Sequence, residues 1–178
     1  MNGTGVQQDA TRAYAFWAYT ANMGNSDALA HLAGKLKASY DDPKGKFWRN
    51  KDLAMKMLEC SYAQENGKAA YLLGQQLNLD GKYESAVHIL HDGVKFGSEE
   101  SAVKLFVNFD HGKELVSRFL DHDRAERYLA IADLIHINPD LRLPNLDKVP
   151  PPSCHPPLLG WRQAIPDRRR QAWQSSLT

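Results

Sequence analysis

The chain repeats a helical pattern in which a small residue is followed, at four-residue steps, by leucine and then by a large apolar residue. Three segments carry the pattern: DALAHLAGKL from Asp27, KAAYLLGQQL from Lys68 and ESAVKLFVNF from Glu100. The aligned columns are Ala28, Ala69 and Ser101; Leu32, Leu73 and Leu105; and Leu36, Leu77 and Phe109. Residues four apart lie on one face of an α-helix, so each segment predicts a helix with one packing face.

A second set of segments precedes these and supplies another helix to each unit. In each, a small residue is followed four positions later by a large apolar one: Ala13 with Trp17, Ala54 with Leu58, Ala86 with Leu90, and Ala125 with Leu129. Successive small residues are 41, 32 and 39 positions apart, which suits a helical-hairpin repeat. The predicted fold is all-α, a right-handed α-solenoid of about four helix-turn-helix repeats in residues 9–148.

Capping residues and glycines fall where such helices would begin and end. Side chains that can cap a helix precede the first helices: Asp9, Asn50, Asp80 and Asp121. Glycines that suit a left-handed turn fall between the first and second helices: Gly24, Gly67 and Gly97. The predicted helices cover residues 9–23, 26–39, 50–65, 68–79, 81–96, 98–109, 112–120 and 122–136.

The connection from Tyr40 to Arg49 is longer than the others. We expect Phe47 and Trp48 within it to cover a neighbouring helix pair, because an exposed tryptophan would reduce solubility. The two cysteines, Cys60 and Cys154, form no metal-binding or disulfide framework. Cys60 lies in an apolar helical pattern and is predicted to be a small buried residue.

The repeats resemble a known family. The pattern is carried in order by Ala69, Leu73, Gly74, Tyr83, Ala86, Gly93, Gly97 and Ala102. It resembles the Sel-one-like repeat, a relative of the tetratricopeptide repeat, over about 125 residues from Asp9 to Leu134. The second helix of the third repeat departs from the pattern, because it has Ser101 in place of alanine and lacks the Leu-Gly pair.

A second resemblance covers DRAERYLAIADLIHINPDLRLPNLDKVPP, from Asp123 to Pro151. This segment is similar to a module that often ends Sel-one-like repeat proteins of proteobacteria. Some of those proteins are encoded beside type VI secretion phospholipase effectors and act as their immunity proteins. The resemblance therefore implies a non-enzymatic immunity protein that binds and neutralises a phospholipase D-type effector. The alternative is a repeat scaffold or adaptor that organises a bacterial signalling or envelope complex.

Composition limits the other classes of partner. The net charge is +1, but residues 149–178 carry +3, so residues 1–148 carry −2. A mildly acidic body argues against a nucleic-acid surface. No apolar run is long enough to span a bilayer, for which about 18 residues are needed. The sequence does not indicate an oligomeric state.

Sequence motifs for chemistry are weak. His88 and His91 are three apart on one predicted helix and could share a face, but no third ligand with suitable spacing follows. His111-Gly112-Lys113 is similar to the start of a phospholipase D motif, yet Arg118 stands where that motif has aspartate. We therefore predict no catalytic residues, no metal and no cofactor.

The remaining candidate residues are those for partner binding. In a stack of helix pairs the first helices are expected to line the concave side, where extended partners bind. Tyrosine and arginine there are favoured at the energetic centres of interfaces. The candidates between core columns are Tyr14, Tyr19, Met55, Tyr62, Tyr83, His88, His91, Arg127 and Tyr128.

The two ends of the sequence differ from its body. Residues 1–8 are read as an N-terminal extension, and they lack the basic and apolar segments of a secretory signal. The location is therefore periplasmic if a signal peptide has been removed, and otherwise cytoplasmic. Residues 149–178 are rich in proline and arginine and are predicted to be disordered. Leu159 to Arg162 can be encoded so that a shifted frame reads Trp-Asp-Gly, so the tail is hypothesised to be out of frame.

Overall fold

In this computed structural model, residue 7, residues 9–37 and residues 50–148 are described, and they form only helices, turns and irregular segments. The α-helices are α1 (Ala10–Asn22), α2 (Ser26–Lys37), α3 (Lys51–Tyr62), α4 (Gly67–Leu79), α5 (Tyr83–Lys95), α6 (Glu99–His111) and α7 (His122–Ile137). Short 3₁₀ turns cover Glu114–Val116 and Leu146–Lys148. The predicted all-α solenoid is confirmed, although the helix expected at 112–120 is a single 3₁₀ turn. Phe47, Trp48, Cys154 and the C-terminal tail lie outside the described residues.

Three of the predicted N-terminal caps are confirmed. The side chain of Asp9 accepts a hydrogen bond from the backbone N–H of Arg12 at 3.0 Å, and Asn50 and Asp121 cap their helices in the same way. The prediction for Asp80 is wrong, because this residue ends α4 instead of starting α5. Its carboxylate accepts a hydrogen bond from Gln76 Nε2 at 2.8 Å, four residues earlier on α4.

The glycines between helices are partly as predicted. Gly24 and Gly97 have φ of +82° and +80°, the left-handed conformation that a helix-ending turn requires. Gly67 is instead the first residue of α4, and Glu65 takes the left-handed position of that turn with φ of +58°. The turn therefore uses a non-glycine residue where glycine was expected.

The helices pack in a different register from the predicted hairpins. The most extensive contacts join α2 to α3, α4 to α5 and α6 to α7, so each second helix packs most fully on the first helix of the next predicted pair. The second helices also contact one another, α2 with α4 and α4 with α6. That the first helices line the concave side of the stack stays a prediction.

Small residues allow the close helix crossings. Ala28, Ala69 and Ser101, one column of the repeat, are all fully buried. At Gly74 an added Cβ would lie 2.6 Å from Leu90 Cγ, and at Gly93 it would lie 2.4 Å from Ser101 Oγ. The glycines are therefore needed for α4, α5 and α6 to approach one another.

Cys60 is exposed, so the prediction that it is buried is wrong. The buried positions of α3 are Ala54, Leu58 and Ser61, which lie on one face of the helix. Cys60 is two residues after Leu58 and therefore points to the opposite side, because successive helical residues are about 100° apart.

Candidate partner-binding surface

The residues after α7 fold back across the stack as a C-terminal strap, residues 138–148. The backbone N–H of Leu143 donates to the carbonyl oxygen of Lys95 at 2.9 Å, which ties the strap to the end of α5. Leu141, Leu143 and Leu146 pack against the core formed by α5, α6 and α7. The strap thus covers one end of these helices.

A polar cluster joins the strap to α5 and α7. Lys95 Nζ lies 2.6 Å from Asp147 Oδ2, and His91 Nε2 lies 3.3 Å from Asp147 Oδ1. On its other side His91 Nδ1 is 2.9 Å from the hydroxyl oxygen of Tyr128. His91 and Tyr128 are each only 5% exposed. Both side chains therefore lie inside the fold, away from any partner at the surface.

Burial and neighbouring charges set the protonation of this cluster. Burial lowers the pKa of His91, and the carboxylate of Asp147 opposes that effect only in part. The hydrogen bond from Lys95 lowers the pKa of Asp147, while burial raises the pKa of Tyr128. A neutral His91 with its Nε2–H toward Asp147 then accepts at Nδ1 a hydrogen bond that the Tyr128 hydroxyl donates. The cluster serves to hold the strap on the helices.

We expect the free energy of unfolding to fall as the pH drops below 6.5, the ordinary pKa of histidine. Burial lowers the pKa of His91 in the folded state only, so in this range the unfolded chain binds more protons and acid favours unfolding. Urea unfolding from about pH 7.5 to about pH 5 measures the effect.

The matched control for that experiment is His91→Gln, which keeps a hydrogen-bonding side chain but does not titrate. The pKa of His31 is also lowered by burial and gives a pH dependence of the same sign, so the difference between the two proteins isolates His91. Asp147, with its lowered pKa, loses its contribution only below its ordinary value of 3.8. Identical pH profiles for the wild type and His91→Gln would contradict the assignment of this pH dependence to His91.

The structure separates the predicted partner-binding residues into three groups. His91 and Tyr128 are enclosed, as described above. The half-buried residues are Tyr14, Met55, Tyr62, Tyr83 and Arg127. Tyr19 and His88 are exposed. Because His88 faces solvent and His91 faces the interior, the two histidines do not form one site.

Two of the half-buried tyrosines have structural partners. Tyr62 donates to Asp92 Oδ2 at 2.6 Å, and burial together with this carboxylate raises the pKa of Tyr62. Tyr83 packs against the core and its hydroxyl donates to Glu114 Oε2 at 3.3 Å. These side chains link neighbouring elements of the solenoid.

Tyr19 belongs to an exposed apolar surface that sequence reasoning did not recognise. Phe16 and Tyr19 on α1 and Met23, which directly follows its last residue, are 65%, 65% and 72% exposed, and we call this surface the α1 apolar face. Their spacing of three and four residues places them on one side of a helix. Exposed apolar patches on a folded protein mark surfaces that another group covers, so this face is a candidate for partner binding. The same spacing in the sequence could have identified Phe16 and Met23.

A second surface feature, the basic groove, lies at the ends of α4 and α6. Its volume is about 340 Å³. It is lined by Asn78, Lys104, Asn108, Gly112, Lys113, Glu114, Leu115 and Arg118. The groove therefore presents ammonium, guanidinium and amide groups to solvent.

The described residues hold neither a metal-binding cluster nor a helix that could span a membrane. In these ranges no three His, Cys, Asp or Glu side chains come together in a group that could hold a metal ion. Within the same residues no helix has the length and apolar character to cross a membrane.

These features define a helical-repeat solenoid whose first described helix carries an exposed apolar face. Its fold is similar to that of immunity protein Pa5087 from Pseudomonas aeruginosa, with 28% sequence identity and a TM-score of 0.62. It is also similar to PA5086 of the same organism, with 25% identity and a TM-score of 0.63. Both alignments cover 85% of this chain, which spans only 55–56% of the length of those proteins. The sequence matches no protein-family profile and no curated protein.

Proposed function

We propose that this protein is an immunity protein, which binds a toxic effector protein and neutralises it without catalysis. The observation that supports the proposal is the similarity of fold and sequence to immunity protein Pa5087 over 85% of this chain. We further propose that the effector is a type VI secretion phospholipase of the D type, as the resemblance of the C-terminal segment implies. The repeats would then be of the Sel-one-like type, and the complex would form in the periplasm if a signal peptide is removed from the protein, and otherwise in the cytoplasm.

Neutralisation would work by occlusion. Covering the α1 apolar face removes three large exposed side chains from water, and burial of apolar area is the main source of association free energy. A bound solenoid would block the mouth of the effector's active site or prevent the effector from reaching the membrane. Neither route requires a reacting group on this chain.

The proposal predicts that a phospholipase effector is encoded beside this gene, and co-expression with that effector tests it. We expect this protein to restore growth of cells that produce the effector in the periplasm and to co-purify with it as a stoichiometric complex. A catalytically inactive effector should still co-purify, because occlusion depends on contact and not on turnover. Failure to protect and to co-purify would contradict the proposal and favour a scaffold role with another partner.

A further inference from the structure

The basic groove carries an excess of positive charge. Lys113 and Arg118 are exposed on its rim and Lys104 is half-buried in its wall. Glu114 is the one carboxylate among the lining residues, and it lies 3.4 Å from Arg118 Nη2. No ion pair within the described residues involves Lys104 or Lys113. The lining residues therefore present three cations and a single anion.

Buried anchors hold the rim of the groove in place. Leu115 and Val116 are fully buried beneath it. The backbone N–H of Lys113 donates to the carbonyl oxygen of Asn108, and the N–H of Arg118 donates to that of Lys113, both at 3.0 Å. Arg118 also has φ of +60°, a conformation that a non-glycine residue adopts at a cost of about 1–2 kcal/mol. The turn is thus fixed by packing and hydrogen bonds, and a preorganised site loses less conformational freedom on binding.

The groups in the groove are suited to carboxylates. Ammonium and guanidinium groups form charge-assisted hydrogen bonds with carboxylate oxygens, and guanidinium can do so through two N–H groups at once. The amide side chain of Asn78 offers two further N–H donors at the same place. A ligand that carries several carboxylates would therefore find complementary charge and donors within one groove.

The surroundings favour a protein ligand over a nucleic acid. Residues 1–148 together carry a net charge of −2, so the groove is a local basic site on a mildly acidic body. Nucleic acids are bound by basic residues that extend along many phosphates, and a groove of about 340 Å³ offers no such track. A short acidic segment of a protein needs only a site of this size.

We infer that the basic groove docks an acidic segment of the protein partner. The inference rests on the proposed function for the partner and adds the place and the chemistry of one contact. Charge pairs of this kind increase the association rate and fix the orientation of a complex, and they weaken with added salt.

A hexaglutamate peptide tests the groove without the effector. Titration of the ¹⁵N-labelled protein at low salt should shift the amide signals of Asn78, Lys104 and residues 112–118. Lys113→Glu should weaken the peptide affinity by about tenfold, since it turns attraction at the rim into repulsion. Shifts spread over the whole surface, or tighter binding of a six-nucleotide single-stranded DNA to the same residues, would overturn the inference.

Lys56→Glu is the matched control for Lys113→Glu. Lys56 is an exposed lysine of α3, and its reversal changes the net charge by the same amount. We expect this control to change the peptide affinity by less than about twofold. Equal losses in the two variants would show that only net charge matters and would overturn the inference.

The same pair of variants separates this inference from the proposed function. If the wild-type protein binds the effector, Lys113→Glu should weaken the complex and make it less sensitive to salt, whereas Lys56→Glu should leave it unchanged. Binding that is equal in both variants would overturn the inference and leave the proposed function intact. If the wild-type protein does not bind the effector, the proposed function fails, and the peptide titration alone decides whether the groove recognises carboxylates.

Discussion

Gly74→Ala should lower the free energy of unfolding by up to about 2 kcal/mol, because forcing extra atoms into a packed core costs roughly 1–3 kcal/mol and the helix propensity of alanine offsets about 1 kcal/mol of that cost. The added Cβ would lie 2.6 Å from Leu90 Cγ and 2.8 Å from Leu90 Cδ2, so α4 and α5 would have to move apart or Leu90 would have to leave its position. Alanine is intrinsically better than glycine in a helix by about 1 kcal/mol, and the measured loss is what remains after that gain. Urea unfolding followed by circular dichroism measures it.

Gly34→Ala is the matched control, because it makes the same substitution on a helix of the same stack. The new Cβ would lie 3.6 Å from Leu72 Cδ1, an ordinary van der Waals contact. We therefore expect this variant to be more stable than the wild type by about 0.5–1 kcal/mol. A loss of stability at both positions, or at neither, would show that the closeness of the α4–α5 crossing is not what selects glycine at position 74.

Loss of the α1 apolar face should have the largest effect on binding. If the face is the centre of the effector interface, Phe16→Ala together with Tyr19→Ala should weaken the complex by at least about a hundredfold, because each interface hot spot contributes about 2 kcal/mol or more. Both side chains are exposed, so their removal should change the free energy of unfolding by less than about 0.5 kcal/mol each. Calorimetric titration with a catalytically inactive effector measures the affinity.

Ile137→Ala provides the comparison for that experiment. Ile137 is an exposed apolar residue at the end of α7, at the other end of the described solenoid, so its truncation removes a similar exposed side chain. We expect it to leave the effector affinity unchanged. If this variant weakens the complex as much as the loss of Phe16 and Tyr19, or if the α1 double variant binds normally, the α1 apolar face is not the docking surface.

Sequence reasoning was most successful where the determining interactions are local. The helices near Asp9, Asn50 and Asp121 begin where capping side chains predicted, since a cap contacts N–H groups only three residues away. It failed at Asp80, because this residue ends α4, and Gly81 and Lys82 separate it from the start of α5 at Tyr83. For Cys60 the apolar pattern was read correctly, but the side of the helix that packs was not.

The candidate site was less predictable than the fold. Aromatic content pointed to tyrosines, but burial separates Tyr19 on the surface from Tyr128 in the interior, and burial depends on which helices cover each position. The basic groove combines residues of α4, α6 and the 3₁₀ turn that are far apart in the sequence. No local sequence pattern indicates that these side chains lie together in the fold.

The sequence by itself determined the repeating helices and the small residues at their crossings, because periodicity and side-chain size act within one helix or one repeat. The four-residue periodicity predicts that Ala69 and Leu73 share one packing face of α4, and the structure buries both. Only the tertiary structure decided which helices pair most closely, that Asp147 reaches His91 from the strap, and that the other described residues leave an apolar face of α1 uncovered. These features arise from contacts between residues far apart in the chain, and the free energy of such contacts exists only once the helices are stacked.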